Sequence, residues 1–335
     1  MVTRGSTRRV HHRHSAQSVA VSLASRFVVK NLVRVWALQP DLGWPLASVD
    51  RLAGVVPRPP SARVERFSLG HCAAEQVRAQ DASDQRAILY LHGGAFLTCG
   101  LNTHRTLVAR LSRAADATVL NVGYRMLPQH RIADAIDDGL NGLRWLLRQG
   151  YDPEQIVVAG DSAGGYLAFL TALTAVQTQL LTPAGVATVS PFTDADPTAK
   201  LAHRNAQRCA MFPCEALTAF TRYLLRARAM SPIDADLSAL PPVTIHASMD
   251  ELLLPDAEVM AQRLDAAGVR CDLHLWEGQV HDFPLAADVL PEGRRAIGYI
   301  GDFVKEVTRG PAQRRPDIEP SLPAREAGAP DGLFA

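Results

Sequence analysis

Short, almost uninterrupted apolar runs alternate with longer amphipathic ones along most of this chain. "RAILYLHGG", "ATVLNVGY", "QIVVAGDS", "AGVATVSP", "PVTIHAS" and "CDLHLWEG" are too short for buried helices and rich in β-branched residues, so they predict strands covered on both faces. Between them, "IADAIDDGLNGLRWLLRQG", "AGGYLAFLTALTAVQTQL", "DAEVMAQRLDAAGV" and "PEGRRAIGYIGDFVKEV" carry helical periodicity. "ARVERFSLG" and "AEQVRAQ" upstream read as an antiparallel pair joined by a short turn. Strands alternating with helices predict an α/β fold, with a mainly parallel sheet and helices on both faces. The pattern predicts eight strands.

Three stretches depart from this alternation. Residues 191–238 form a polar, mostly helical insertion between two sheet strands, the position of a lid. Residues 310–335 are rich in Pro, Ala and Gly and read as a disordered tail. Residues 1–40 contain no Asp or Glu but carry Arg4, Arg8, Arg9, Arg13, Arg26, Lys30 and Arg34. Within them, residues 16–39 read as an amphipathic helix with Arg26, Lys30 and Arg34 spaced four apart along one face. The charges recur too often for a membrane span, so the segment predicts a lid helix able to make peripheral membrane contact. The resulting organisation is a basic N-terminal cap segment (1–61), a core (62–309) containing the 191–238 cap insertion, and the tail.

Composition narrows the function without naming it. With 35 basic and 34 acidic residues the net charge is +1, which offers no support for a nucleic-acid partner. The five cysteines, Cys72, Cys99, Cys209, Cys214 and Cys271, are odd in number and scattered, which predicts reduced thiols and a cytoplasm-like compartment. Neither they nor the histidines form a zinc pattern, so no metal site is expected.

The chemistry centres on "VVAGDSAGG". An apolar strand runs into Gly160-Asp161-Ser162-Ala163-Gly164 and a helix opens at once. The five-residue motif alone is weak. Its strand–turn–helix setting strengthens it, because a tight turn there exposes the Ser162 hydroxyl above the sheet, with a helix N-terminus behind it. A serine hydroxyl needs a base, and the base an orienting acid. His281 lies in a loop after the last strand and follows both the serine and an acid, in the order Ser, acid, His; His246 and His274 fall inside strands and are expected to pack there. The acid belongs on the loop after "PVTIHAS", where Asp250 and Glu251 stand side by side and both remain open. Upstream, His92, Gly93, Gly94 and Ala95 end a strand with little side-chain bulk, so the loop's amides, chiefly those of Gly94 and Ala95, can join that of Ala163 around a developing oxyanion. A histidine base also predicts activity that declines near its unperturbed pKa of about 6.5.

"YLHGGAF", "NVGYRMLPQHRIADAIDDG" and "VVAGDSAGG", in that order and spacing, resemble the hormone-sensitive-lipase (His-Gly-Gly) group of α/β-hydrolase esterases over roughly residues 62–305. The Tyr124-Arg125-x-x-Pro128-x-His130 stretch before Asp137 and Asp138 is a further mark. The resemblance implies an α/β-hydrolase fold with a helical cap. It also implies a carboxylesterase or lipase acting on small-molecule esters without a cofactor, with Ser162 as nucleophile and His281 as base. Three departures stand out. Ala95 replaces a third glycine, "RIADA" replaces an apolar, proline-containing stretch, and the usual acid is Asp. The gap-free register puts Glu251, not Asp250, at the acid position. An amidase or formamidase using the same triad, and a non-catalytic small-molecule-binding module on the same fold, are the competing readings.

Overall fold

The computed structural model describes residues 5–55, 61–226 and 230–308; the 310–335 tail lies outside them. One sheet organises the chain. Its strands are β1 (Thr7–His11), β2 (Ala62–Leu69), β3 (Cys72–Ala79), β4 (Ala87–Leu91), β5 (Thr118–Gly123), β6 (Ile156–Asp161), β7 (Gly185–Val189), β8 (Val243–Ser248) and β9 (Cys271–Trp276). They run in the order β1-β9-β8-β7-β6-β4-β5-β3-β2. Only the β2–β3 and β3–β5 pairings are antiparallel.

The sheet has nine strands where the apolar pattern predicts eight. The extra one, β1, comes from the basic arm and pairs in parallel with β9, Thr7 opposite Asp272 and His11 opposite Trp276. Its sequence, Thr-Arg-Arg-Val-His, has no hydrophobic alternation to reveal it. Side-chain partners distant in sequence hold it instead: Thr7 Oγ1 donates to Asp272 Oδ1 (2.6 Å), and the His11 ring stacks on Trp276 at 3.8 Å. His246 and His274 pack within their strands, as their positions predict, and stack on each other.

The helices are α1 (Ala16–Ala24), α2 (Lys30–Leu38), α3 (Ala47–Ala53), α4 (Leu101–Ala115), α5 (Ile132–Arg148), α6 (Ala163–Gln177), α7 (Thr198–Ala202), α8 (Asn205–Arg208), α9 (Cys214–Arg226), α10 (Leu254–Ala266) and α11 (Pro291–Val307). Strand periodicity divides the core in two. On β4, Leu89 and Leu91 face α5, α6 and α10, whereas Ile88 and Tyr90 face α4 and α11. Helix α6 is apolar nearly all round and correspondingly buried along its length. Among the described residues no helix is long and apolar enough to cross a membrane.

Helices α7 to α9 form the insertion between β7 and β8. The N-terminal segment lies against it: Trp36 stacks with Tyr223, the Tyr223 hydroxyl donates to Pro40 O (2.6 Å), and Arg226 pairs with Asp41. The expected 16–39 helix is present as α1 and α2 joined by a π-helical turn, Ser25–Val29. Its charged stripe is not a solvated face throughout. Lys30 is buried and donates to Cys209 O (2.7 Å), while Phe27 beside it is 69% exposed.

Candidate active site

Ser162 sits between β6 and α6 with φ 51° and ψ −115°. A non-glycine residue there carries roughly 1–3 kcal/mol of backbone strain, which the surrounding packing must hold. The sequence permits the turn because the residues two positions to either side, Gly160 and Gly164, lack side chains. A Cβ on Gly164 would come within 1.9 Å of Leu91 O, and one on Gly160 within 2.3 Å of Gly164 O. The Ser162 amide donates to Val189 O (2.9 Å), and its carbonyl accepts from Tyr166 N and Phe192 N.

Behind the serine lies a buried polar group. The Asp161 carboxylate accepts from the Tyr90 hydroxyl (2.7 Å) and lies 3.0 Å from His104 Nε2. Burial disfavours its charge, but His104 and Tyr90 outweigh this and bring its pKa down to about 2. Burial works against the charged form of His104 too, and Asp161 overcomes it to raise that pKa. A buried ion pair thus anchors the residue before the serine. Sequence reasoning missed it, since nothing in the spacing of Tyr90, His104 and Asp161 links the three.

The loop after β4 carries the expected oxyanion donors. Gly94, Ala95 and Phe96 all have positive φ, and a Cβ on Gly94 would lie 2.1 Å from Thr98 O. The loop closes on itself through Leu97 N and Thr98 N, both donating to Gly94 O (3.0 Å). The amides of Gly93, Gly94, Ala95 and Ala163 donate to no protein acceptor among the described residues. His92 braces the loop from inside: burial lowers its pKa to about 4, and as a neutral ring it can donate from Nδ1 to Gly93 O (2.7 Å). The Tyr124 hydroxyl donates to His92 O (2.7 Å), and the adjacent Arg125 is clamped on Asp138 by contacts of 2.9–3.1 Å. The Tyr-Arg stretch is therefore a structural brace of this loop; Asp137 points to solvent.

His281 follows β9 and is buried. The structure brings Glu251 to it: Glu251 Oε2 contacts His281 Nδ1, while Oε1 accepts from Ser248 N (2.7 Å). Asp250 is directed elsewhere. Its Oδ2 accepts from Gly278 N (2.8 Å), three residues before the histidine. The other imidazole nitrogen, Nε2, lies 3.1 Å from Asp282 Oδ2 and makes no hydrogen bond to Ser162 Oγ. The two loops nonetheless meet, because Asp282 N donates to Ser190 Oγ (3.2 Å), next to the Val189 that holds Ser162. Burial opposes charging the imidazole, but Asp282 and Glu251 outweigh it and hold its pKa well above the usual value. Burial in turn pushes Asp282 up to about 7, against the pull of His281. Asp282, too, was passed over by the sequence reading.

Aromatic rings surround this centre. Phe212 of the insertion packs edge-on against the His281 ring at 4.9 Å, and Phe220 of α9 contacts Phe96 and Phe192.

The profile of the alpha/beta hydrolase fold family matches residues 88–285. The chain is 42% identical over 296 residues to the esterase LipU of Mycobacterium tuberculosis, an alignment covering 84% of this chain and 99% of that protein. An esterase of the bacterial hormone-sensitive lipase family superposes with a TM-score of 0.78 at 30% identity, covering 88% of this chain and 99% of its own. The chain belongs to the hormone-sensitive-lipase group of α/β hydrolases. Another relative is the carboxylesterase/phospholipase LipF of M. tuberculosis, 40% identical over 88% of this chain and 83% of its own. The structure of EstE5, soaked with p-nitrophenyl butyrate, superposes with a TM-score of 0.77 at 33% identity over 88% of this chain and all of its own. The parallel strands deliver their loops to one edge of the sheet, and Ser162, Glu251 and His281 follow β6, β8 and β9.

Proposed function

We propose that Ser162, His281 and Glu251 form the catalytic triad of this carboxylic-ester hydrolase. The observation that carries the assignment is the strained serine at the N-terminus of buried α6, beside a loop whose amides have no protein acceptor. His281 takes the proton of Ser162 as its oxygen attacks the ester carbonyl. The amides of Gly94, Ala95 and Ala163, with Gly93 beside them, receive the oxyanion. His281 then protonates the departing alcohol, and water repeats the sequence on the acyl-enzyme to release the acid. Glu251 fixes the Nδ1–H tautomer and stabilises the imidazolium. Asp282 stands at Nε2 in this arrangement, so Nε2 must turn from Asp282 to Ser162 before attack.

The same reading makes the helical part of the N-terminal segment, from Ala16 onward, and the 191–238 insertion a cap on the core, whereas Thr7–His11, expected within the 1–61 cap, is a strand of the core sheet. Its support is the contact of Phe212 with His281 and of Phe220 with Phe96 and Phe192, which lines the serine's surroundings with apolar rings suited to an acyl group. A fluorophosphonate probe tests the centre of the proposal. It should label Ser162, and Ser162→Ala should lose both labelling and ester hydrolysis; labelling of another serine, or activity retained in the variant, overturns it.

A further inference from the structure

Helices α1 and α2, with the π-helical turn between them, direct Ser18, Ser25 and Lys30 towards the protein, together with Val21 and Trp36, and leave a row of large apolar side chains facing solvent. On the inner side, Ser18 Oγ donates to Gly278 O (2.7 Å) and accepts from Gln279 Nε2 (2.8 Å). Ser25 Oγ donates to Ala210 O (3.3 Å), and Lys30 Nζ to Cys209 O. On the outer side, Leu23, Phe27, Val28, Leu32, Val35 and Leu38 are all about half exposed or more, with Phe27 at 69%, Leu32 at 66% and Leu38 at 73%. Leu42, Leu52 and Val55, further along the N-terminal segment, are exposed as well. Water-soluble chains rarely leave so many large apolar side chains together on one surface without a partner for them.

Charge says which partner fits. Residues 1–40 have no acidic side chain, and exposed Arg26 and Arg34 flank the outer face. The Arg26 guanidinium rests on the carbonyl of Arg208, which brings a third exposed cation to the same edge. A second copy docking face to face would set these cations against their own counterparts. A layer with an apolar interior and an anionic surface complements both features at once. We propose that the outer face of α1–α2 is a docking surface for an anionic lipid layer, with Phe27, Leu32 and Leu38 entering the acyl region and Arg26 and Arg34 meeting headgroup phosphates. The segment is bonded to Gly278 and Gln279, just before His281, and to the 208–210 turn that leads into Phe212. A docked α1–α2 therefore holds the His281 loop at a fixed position relative to the lipid surface.

The test is sedimentation of the full chain with sucrose-loaded vesicles, which does not depend on the triad assignment. The protein should pellet with vesicles of phosphatidylcholine mixed with phosphatidylglycerol, less with phosphatidylcholine alone, and less as salt is raised. Phe27→Ser/Leu32→Ser should lower partitioning by roughly tenfold or more, while thermal melting and hydrolysis of a soluble short-chain ester stay as in the parent. Arg34→Glu should remove the preference for the anionic vesicles. Three results would overturn the proposal: no pelleting with either vesicle, equal pelleting of the double variant, or self-association in the ultracentrifuge that the double variant abolishes. The last would assign the face to a second copy.

Discussion

Asp282 Oδ2 lies 3.1 Å from His281 Nε2, on the opposite side of the ring from Glu251. Two carboxylates thus share one buried imidazole, and together they outweigh the burial that opposes its charge. A base must be neutral to accept the serine proton. A raised pKa therefore moves the acidic limb of activity above the value of about 6.5 that an unperturbed histidine gives. We expect kcat/KM to fall with decreasing pH through a midpoint above 6.5. Asp282→Asn should shift that midpoint to lower pH, because one of the two groups favouring the imidazolium is gone. A pH–rate profile of both proteins checks this, and an unmoved limb would detach Asp282 from the titration of His281.

Asp250 and Glu251 are neighbours in sequence with different partners. Glu251 meets His281 Nδ1, whereas Asp250 accepts from Gly278 N. Glu251→Gln keeps the shape but removes the charge and the tautomer control, a change that can cost on the order of 10⁴ in turnover. Asp250→Asn retains an oxygen that can accept from Gly278, so a loss of only a few-fold is expected. Steady-state kinetics of the two variants decide the ranking. The reverse order would make Asp250 the acid.

Glycines of the same type should differ sharply in stability. Gly164→Ala places a methyl group against Leu91 O, a rigid backbone atom that cannot turn aside. Its cost should exceed the roughly 1–3 kcal/mol of ordinary overpacking. Gly298, inside α11, has nothing within 4 Å of its missing Cβ. Gly298→Ala should stabilise the protein by about 0.5–1 kcal/mol through helix propensity. Thermal melts of both variants test the pair.

What was legible in the sequence follows from the range of the interactions. The buried strands announce themselves as short apolar runs, and Ser162 is marked by glycines required within two residues of it. The pairing of Glu251 with His281 needed the family register, because local spacing treats Asp250 and Glu251 alike. Strand β1 carried no signal, since its bonds are to Asp272 and Trp276, far along the chain. The Asp161–His104 pair and the position of Asp282 were hidden for the same reason. The orientation of α1 was hidden differently. An amphipathic pattern tells which residues share a side, but not whether that side meets protein or solvent.

The β1–β9 pairing also bears on how the molecule is made. Thr7 bonds to a residue 265 positions later, so β1 cannot find its place until the whole stretch between them has been translated. Until then its arginines and its backbone stay in water, a safe condition for a segment with few apolar side chains to aggregate. Once β9 is in place, β1 covers its outer edge and leaves a basic strand as the sheet's border, a poor template for stray strands. The strand that waits longest for its partner is thus the one that borders the finished sheet.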